Sequence, residues 1–222
     1  MIKAVLYDMD GTVLDTMPIY EHGWGAADEA YSCGGRLVEM LPLIAGMNEG
    51  AIEAFICSRL GEDFPCREAR MLMKRVISNW FEEHGVACKK GAPEIFDRIR
   101  SLGIKQILVT SSSPTLVFPH LAMAGIEDAF DAVITGDMVT HSKPNPEIFL
   151  LGAKAAECKP DECVVVEDAA NGARAGIAAG MHTVMIPEYP PIPQDVAKHL
   201  WQECNDLSEL YDLIDSYNRS NS

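Results

Sequence analysis

The chain opens with the run IKAVLYDMDGT at positions 2–12, in which an apolar stretch ends at two aspartates. Residues 2–7 have the length and apolar character of a short buried strand. Asp8 and Asp10 follow it two residues apart, so their side chains share a face in extended backbone. By itself this pair fits a solvated turn as well as a site where one acid attacks and the other moves protons. The rest of the sequence has to separate these two interpretations.

The overall charge limits the class of partner. The 222 residues are 48% hydrophobic and 23% charged, which is enough to bury a core. There are 18 Lys and Arg against 33 Asp and Glu, giving a formal net charge of −15. A nucleic-acid partner is disfavoured, because phosphate backbones are bound by concentrated Lys and Arg.

Cysteine use and the N-terminus predict a cytoplasmic protein. The seven cysteines are scattered without a C-x-x-C pair, which predicts free thiols rather than a zinc site or a disulfide framework. Charged Asp8 and Asp10 stand where a signal peptide needs an apolar stretch, and no apolar run approaches membrane-spanning length. We therefore expect a soluble monomer or weak homo-oligomer with no membrane partner.

The pattern of elements changes near residue 90. Between about residues 15 and 90 the sequence predicts helices without a strand, at 18–30 and within 36–84, notably 49–60 and 67–83. Further on, helices alternate with strands. The predicted strands are 104–109, 132–134, 162–166 and 183–186, and the predicted helices are 93–102, 114–124, 146–157, 171–179, 196–202 and 207–217. This alternation predicts a parallel sheet covered by helices on both faces, with a helical insert after the first strand.

Polar side chains follow four of the predicted strands, at the edge where such sheets bind ligands. They are Asp8 with Asp10, the hydroxyl run 110–113, Lys143, and Glu167 with Asp168. Each alone has a structural explanation, since the hydroxyls could cap a helix, the lysine could be a surface charge and the acids could complement a helix dipole.

Together these groups suit phosphoryl transfer. Converging carboxylates repel one another unless a cation lies among them, and Mg²⁺ accepts one or two carboxylates together with phosphate oxygens. A lysine and a hydroxyl can hold the remaining phosphoryl oxygens. A calcium loop is excluded as the source of the D-x-D-G spacing, because its first and twelfth ligands would be Leu6 and Met17.

In this order the residues resemble the motifs of the haloacid dehalogenase (HAD) superfamily, and most of all its β-phosphoglucomutase-like phosphatases. The likeness rests on residues 8–12, Ser111, the run 143–146 that begins at Lys143, and Glu167 with Asp168; segments 14–16, 44–47 and 168–173 are also similar. It implies an α/β fold with a Rossmann-like three-layer α/β/α core of residues 1–14 and 91–222. A helical cap of the C1 type, residues 15–90, would be inserted after the first strand.

The resemblance implies a role for each catalytic motif residue. Asp8 would be the nucleophile that forms an aspartyl-phosphate. Asp10 would protonate the leaving oxygen and then deprotonate the attacking water. Ser111 would hydrogen-bond the phosphoryl group, and Lys143 would offset its negative charge together with that of Asp8.

The same resemblance implies the ligand contacts. Mg²⁺ would be held by Asp8, the backbone carbonyl of Asp10, and Asp168, with Glu167 bound through water or beside it. Substrate or phosphate binding is assigned to Met9, Ser112, Gly46 and Tyr20. Four large side chains of the insert are expected in the core rather than on the substrate, namely Trp24, Trp80, Met71 and Met73.

Differences from the mutase pattern predict hydrolysis. Tyr20 stands where mutases of this group have His, and Ala45 and Glu49 stand where they have a Lys and an Arg that hold a second phosphate. We therefore expect a Mg²⁺-dependent phosphatase of a small phosphorylated metabolite such as a sugar phosphate, with a β-phosphoglucomutase-type sugar phosphomutase as the alternative.

Two alternatives from other classes stay open in principle. A phospho-accepting receiver module also combines acids, a hydroxyl and a lysine on a parallel sheet, but it would be about half as long and order its acids differently. A catalytically silent binding protein would require damaged motifs, and none of the four motifs is damaged.

Overall fold

A computed structural model describes residues 1–221 of the chain. Within them the sheet has six strands in the order β3-β2-β1-β4-β5-β6, and each neighbouring pair is parallel. The strands are β1 Ala4–Tyr7, β2 Lys105–Val109, β3 Ala132–Ile134, β4 Cys163–Glu167, β5 His182–Met185 and β6 Gln202–Glu203. The predicted parallel α/β sheet is confirmed.

Helices come in two groups along the chain. Those between β1 and β2 are α1 Met17–Ala30, α2 Arg36–Glu39, α3 Leu41–Ile44, α4 Glu49–Leu60 and α5 Cys66–His84, which we call the helical insert. Those after it are α6 Glu94–Ser101, α7 Pro114–Ala124, α8 Glu147–Ala155, α9 Ala170–Ala178, α10 Gln194–Ala197 and α11 Leu210–Ser220.

The central strands are buried on both faces, which explains their continuous apolar sequences. Because side chains alternate along a strand, Tyr7 of β1 packs with Phe96 of α6 and Ile214 of α11 in one core cluster. Leu6 packs on the opposite face with Phe149 of α8. Helices therefore cover both faces of the sheet, giving the Rossmann-like three-layer arrangement.

The helical insert is built around the contact of α1 with α5. Four buried residues of α5 recur at intervals of four along one face, namely Ala69, Met73, Ile77 and Phe81. On α1, a Cβ at Gly23 would lie 2.8 Å from Cγ1 of Ile77, so the two helices approach closely where glycine has no side chain. This apolar seam holds the insert together.

The structure corrects one predicted helix and the expected burial of two side chains. The predicted helix 196–202 ends at Ala197, and Gln202 instead pairs with Val184 as the edge strand β6. The pairing depends on the position of β5 in the folded protein, which the local sequence pattern of residues 196–202 cannot predict. Trp80 and Met71 are not in the core, since they are 38% and 58% exposed.

The expectation of free thiols is wrong for one pair of cysteines. Cys57 near the end of α4 and Cys66 at the start of α5 form a disulfide, because the short connection between the helices brings their Cα atoms within 6.1 Å. The other five cysteines are free. Among the described residues no helix combines the length and apolarity needed to span a membrane.

Candidate active site

Strand register brings the predicted site residues together. Tyr7 of β1 is level with Val166 of β4 and with Leu108 of β2. Asp8 therefore emerges beside Glu167, and its backbone N–H donates to the carbonyl of Val166 at 3.0 Å. Since parallel strands end at one edge of the sheet, the acids and the hydroxyl run meet there as predicted.

Lys143 is a buried cation between two carboxylates. Its Nζ lies 2.6 Å from Oδ1 of Asp8 and 2.6 Å from Oε1 of Glu167, and the residue is 2% exposed. Burial by itself lowers the pKa of Lys143, but the charges of Asp8 and Glu167 outweigh burial and leave that pKa above its usual value. The ammonium is thus charged and orients Asp8.

Asp8, Glu167 and Asp168 form a cluster in which one carboxylate oxygen from each residue lies within 4.8 Å of the other two. Burial, followed by the charges of Glu167 and Asp8, raises the pKa of Asp168 well above its usual range. Thr12 Oγ1 donates to Oδ1 of Asp168 at 3.1 Å. Three buried carboxyl groups share one lysine, so their charged forms lack a full set of balancing cations, and an all-oxygen donor set of this kind fits Mg²⁺.

Asp10 has a separate environment from the cluster. Thr16 Oγ1 donates to its Oδ1 at 2.9 Å, and Ser112 Oγ donates to its Oδ2 at 2.8 Å. Burial raises the pKa of Asp10, while these two hydroxyls partly oppose that shift. Burial raises the pKa of Asp8 too, while the charge of Lys143 opposes that shift. The two acids differ in their partners, because Asp8 is bonded to a cation and Asp10 to two neutral hydroxyls.

The contacts of Ser112 and Thr16 with Asp10 are not predicted by the sequence pattern. The hydroxyl of Ser112 is directed at Asp10, so phosphate binding by Ser112 stays a prediction. The sequence marks Thr16 only as part of segment 14–16, which is similar to the family. Its position just before α1 was the available signal, because hydroxyl residues at such places bond to nearby polar groups.

Two glycines allow backbone to pass against the acid cluster. Gly11 has φ +84°, and a Cβ there would lie 2.4 Å from Oδ2 of Asp168. In the first turn of α9, a Cβ at Gly172 would lie 1.9 Å from Oε1 of Glu167. Side chains at either position would displace a carboxylate of the cluster.

Gly172→Ala should lower activity at least about tenfold and cost about 1–3 kcal/mol of unfolding free energy, because the new methyl group overlaps Glu167. Helix propensity alone predicts the opposite, a gain of up to about 1 kcal/mol. The matched control is Gly25→Ala in α1, where a Cβ meets nothing within 4 Å and the gain should appear. Urea unfolding and phosphate release measure both effects; equal stabilisation by the two variants would contradict the steric argument.

A loop of the helical insert is hydrogen-bonded onto the catalytic edge. Ser111 Oγ donates to the carbonyl of Gly46 at 2.7 Å, and Nδ2 of Asn171 donates to the carbonyl of Ala45 at 3.0 Å. The backbone N–H of Asn48 donates to Ser142 Oγ at 2.9 Å. Gly46 is thereby placed beside Ser111, and its assignment to substrate or phosphate binding stays a prediction.

A cavity of about 370 Å³ opens from this edge into the insert. Its catalytic end includes Asp8, Asp10, Asp168, Ser111, Ser112, Gly46 and Tyr20. The rest of its lining includes the apolar side chains Trp24, Met73, Ile77, Phe81, Leu116 and Met123 and the polar side chains Glu49, Arg70, Lys74, Ser78 and Glu82. The volume is typical of a site for a small molecule.

The cavity revises several expectations for single residues. Trp24 and Met73 are buried as predicted, yet both also line the cavity. The Met9 side chain is fully buried in the core cluster and does not line the cavity, and the assignment of Met9 to phosphate binding stays a prediction.

Sequence reasoning missed Arg70 and Lys74, two cations that line the cavity. Arg70 NH1 lies 2.6 Å from Oε2 of Glu49, its NH2 lies 2.6 Å from Oε1 of Glu53, and Lys74 also pairs with Glu49. The four-residue spacing of Arg70 and Lys74 places them on one face of α5, but only the fold shows that this face meets Glu49.

Comparison with known proteins gives consistent matches across most of the chain. The family described as haloacid dehalogenase-like hydrolase matches residues 2–180. Hexitol phosphatase A of Escherichia coli is 30% identical over 83% of this chain and 82% of its own length. Fructose-1-phosphate phosphatase YqaB of the same organism is 32% identical over 82% and 94%. The crystal structure of β-phosphoglucomutase from Clostridium difficile superposes with a TM-score of 0.77 at 22% identity over 99% of both chains, which shows a common fold.

Proposed function

Because the chain belongs to the haloacid dehalogenase-like hydrolases, we propose that it hydrolyses the phosphate ester of a small metabolite such as a sugar phosphate. The observation that carries the proposal is the position of Asp8. Its carboxylate is bonded to buried Lys143, adjoins Glu167 and Asp168, and faces the same cavity as Asp10. A nucleophile and a separately held acid are thus presented to one substrate.

In the first step the Asp8 carboxylate attacks phosphorus and the bond from phosphorus to the ester oxygen breaks. Asp10 gives its proton to that oxygen, so the leaving group departs as a neutral alcohol. In the second step Asp10 takes a proton from water, which attacks the phosphorus of the aspartyl-phosphate. Inorganic phosphate leaves and Asp8 is regenerated.

The remaining polar groups stabilise charge. Lys143 offsets the negative charge of Asp8 as the phosphoryl group approaches, and Ser111 can exchange its bond to Gly46 for one to a phosphoryl oxygen. Asp8, Asp168, Glu167 and the carbonyl of Asp10 are the groups that would hold Mg²⁺. When bound, the ion supplies positive charge that neutralises the carboxylates and the phosphoryl oxygens.

The cavity beyond the acids supports a polyhydroxylated leaving group. Its lining offers the ionic groups Glu49, Arg70 and Lys74, which can donate to and accept from hydroxyls. It also offers Trp24 and other apolar side chains that suit the C–H face of a sugar. The names of the two E. coli relatives, a hexitol phosphatase and a fructose-1-phosphate phosphatase, agree with such a substrate.

A sugar phosphomutase is the alternative, and one observation favours it. Arg70 and Lys74 bring two cations to the cavity, where a second phosphate could be held. Both are already paired with Glu49, and Arg70 is also paired with Glu53. Their charges are therefore balanced within the protein, which supports hydrolysis over retention of a bisphosphorylated intermediate.

A panel of phosphate esters should release inorganic phosphate with Mg²⁺ and stop doing so when EDTA is added, because the carboxylate cluster then lacks its neutralising cation. Excess Mg²⁺ should restore release. Colorimetric phosphate measurement checks each arm. Conversion of β-glucose 1-phosphate to glucose 6-phosphate without released phosphate would instead favour the mutase.

Three finer points stay predictions. They are the division into a core of residues 1–14 and 91–222 with a cap of residues 15–90, the cytoplasmic location, and the monomeric or weakly associating state. The insert's own apolar seam between α1 and α5 supports the first of these.

A further inference from the structure

The disulfide of the helical insert belongs to the seam that carries ionic groups to the cavity. It joins Cys57, in the last turn of α4, to Cys66, the first residue of α5. Four residues away from it along each helix, Glu53 of α4 pairs with Arg70 of α5, and Glu49 lies one further turn along α4 and also pairs with Arg70. Residues four apart share a helix face, so the disulfide and the ion pairs are successive cross-links of one antiparallel seam.

The covalent bond is the strongest of these cross-links. Among the described residues of α4 only Ile56 is buried, whereas α5 buries five of its residues. The side chain of Glu49 is 42% exposed, and ion pairs that water reaches contribute little to stability. A disulfide holds its two segments together without such screening. The alignment of α4 against α5 therefore depends mainly on the bond between Cys57 and Cys66.

Helix α4 connects this disulfide to the catalytic edge. At its start, the backbone N–H of Asn48 donates to Oγ of Ser142 at 2.9 Å, next to the buried Lys143. Glu49 and Ile52 of α4 line the cavity, and α5 lines it with Arg70 and its neighbours while packed on α1. Loss of the disulfide would release the far end of α4 from α5, and the hydrogen bond at Ser142 would remain.

We propose that Cys57 and Cys66 form a redox-active pair, and that its reduction by a dithiol weakens binding of the leaving group without changing the catalytic edge. A substrate entering the reduced protein has to order α4 against α5 as it binds, which costs affinity. The effect on the substrate rests on the proposed phosphatase function, whereas the exchange of thiols and disulfides does not.

The surroundings of the two sulfurs assign the order of the exchange. Cys57 is half-buried and Cys66 is 5% exposed, so a thiolate of the dithiol attacks Sγ of Cys57. The bond between the two protein sulfurs breaks and Cys66 leaves as a thiolate, which the N-terminus of the 19-residue α5 stabilises. The second thiol of the reductant then displaces Cys57. The protein gains two electrons and two protons, and the dithiol becomes a disulfide.

Peptide mapping of the full chain tests this chemistry. Trypsin cleaves after Arg59 and Arg67, so Cys57 and Cys66 fall on separate peptides that only the disulfide joins. Dithiothreitol should separate these peptides in the native protein without denaturant, and its oxidised form should rejoin them. After brief exposure to glutathione and rapid alkylation, glutathione should be found on Cys57 and the alkyl group on Cys66. A disulfide that resists dithiothreitol until the protein unfolds, or glutathione on Cys66, would each overturn the proposal.

Kinetics with two esters test the effect on the cavity. On reduction, KM for sorbitol 6-phosphate should rise about 5- to 10-fold, the size of a typical coupling between two sites. KM for methyl phosphate, whose leaving group is too small to reach α4 and α5 together, should stay constant. Inhibition by inorganic phosphate should stay constant too, because phosphate engages the Asp8 end. Equal losses on both esters would overturn the proposal in favour of a purely structural disulfide.

The double variant Cys57→Ser/Cys66→Ser is the matched control, because it retains the other five cysteines. It should show the higher KM for sorbitol 6-phosphate both with and without dithiothreitol. A response to dithiothreitol that persists in this variant would assign the effect to another cysteine and overturn the proposal. Release of phosphate from neither ester by the oxidised parent would instead contradict the proposed function, and the peptide map would still decide whether the pair exchanges.

Discussion

Replacing Asp8 by Asn should leave a folded protein that releases no phosphate from any ester that the parent hydrolyses. The amide has nearly the same shape as the carboxylate, but it lacks the negative oxygen that attacks phosphorus. Lys143 keeps Glu167 as its partner, and one of three mutually repelling carboxylates is removed. Phosphate release and a thermal melt on the same preparation measure the two expectations.

Asp10→Asn is the matched variant, because it removes the proton carrier and leaves the nucleophile. Its turnover should fall by about 10²- to 10⁴-fold. Mass spectrometry after brief exposure to substrate should find a phosphoryl group on Asp8 in this variant and none in Asp8→Asn. Undiminished turnover in Asp8→Asn would exclude the covalent mechanism.

Lys143→Met should both inactivate the protein and destabilise it by about 3–5 kcal/mol, because it leaves two buried carboxylates without their shared cation. Methionine has a similar length, so cavity formation contributes little to the effect. Lys143 is 2% exposed, with Asp8 and Glu167 each at 2.6 Å, so solvent cannot replace the lost charge. Urea unfolding in the presence of EDTA measures the loss without a contribution from bound metal.

A double variant tests whether charge is the cause. Adding Glu167→Gln to Lys143→Met removes one of the stranded carboxylates, so part of the lost unfolding free energy should return. Activity should not return with it, because Asp8 still lacks its partner cation. A double variant less stable than Lys143→Met would show that lost packing, rather than uncompensated charge, accounts for the effect.

The convergence of the acidic and hydroxyl residues at one edge of the sheet could be predicted from the sequence for a physical reason. Apolar residues 2–7 predict a buried strand, and β1 is indeed buried at Ala4–Tyr7. Parallel pairing then forces whatever follows each strand to one edge, so Asp8, Ser111 and Glu167 converge without further information. Prediction failed at β6, where residues 202–203 become a strand by pairing with β5.

The sequence alone therefore determined the α/β fold class and which motif residues meet, because local hydrophobic pattern and strand-end geometry suffice for both. Only the tertiary structure decided the shape of the substrate cavity. His120 of α7 meets Phe81 of α5, and Arg70 of α5 meets Glu49 of α4, across chain separations that no local pattern encodes. The roles proposed for Asp8 and Asp10 follow from the resemblance of their motif, whereas the shape of the cavity depends on how the insert packs against α7.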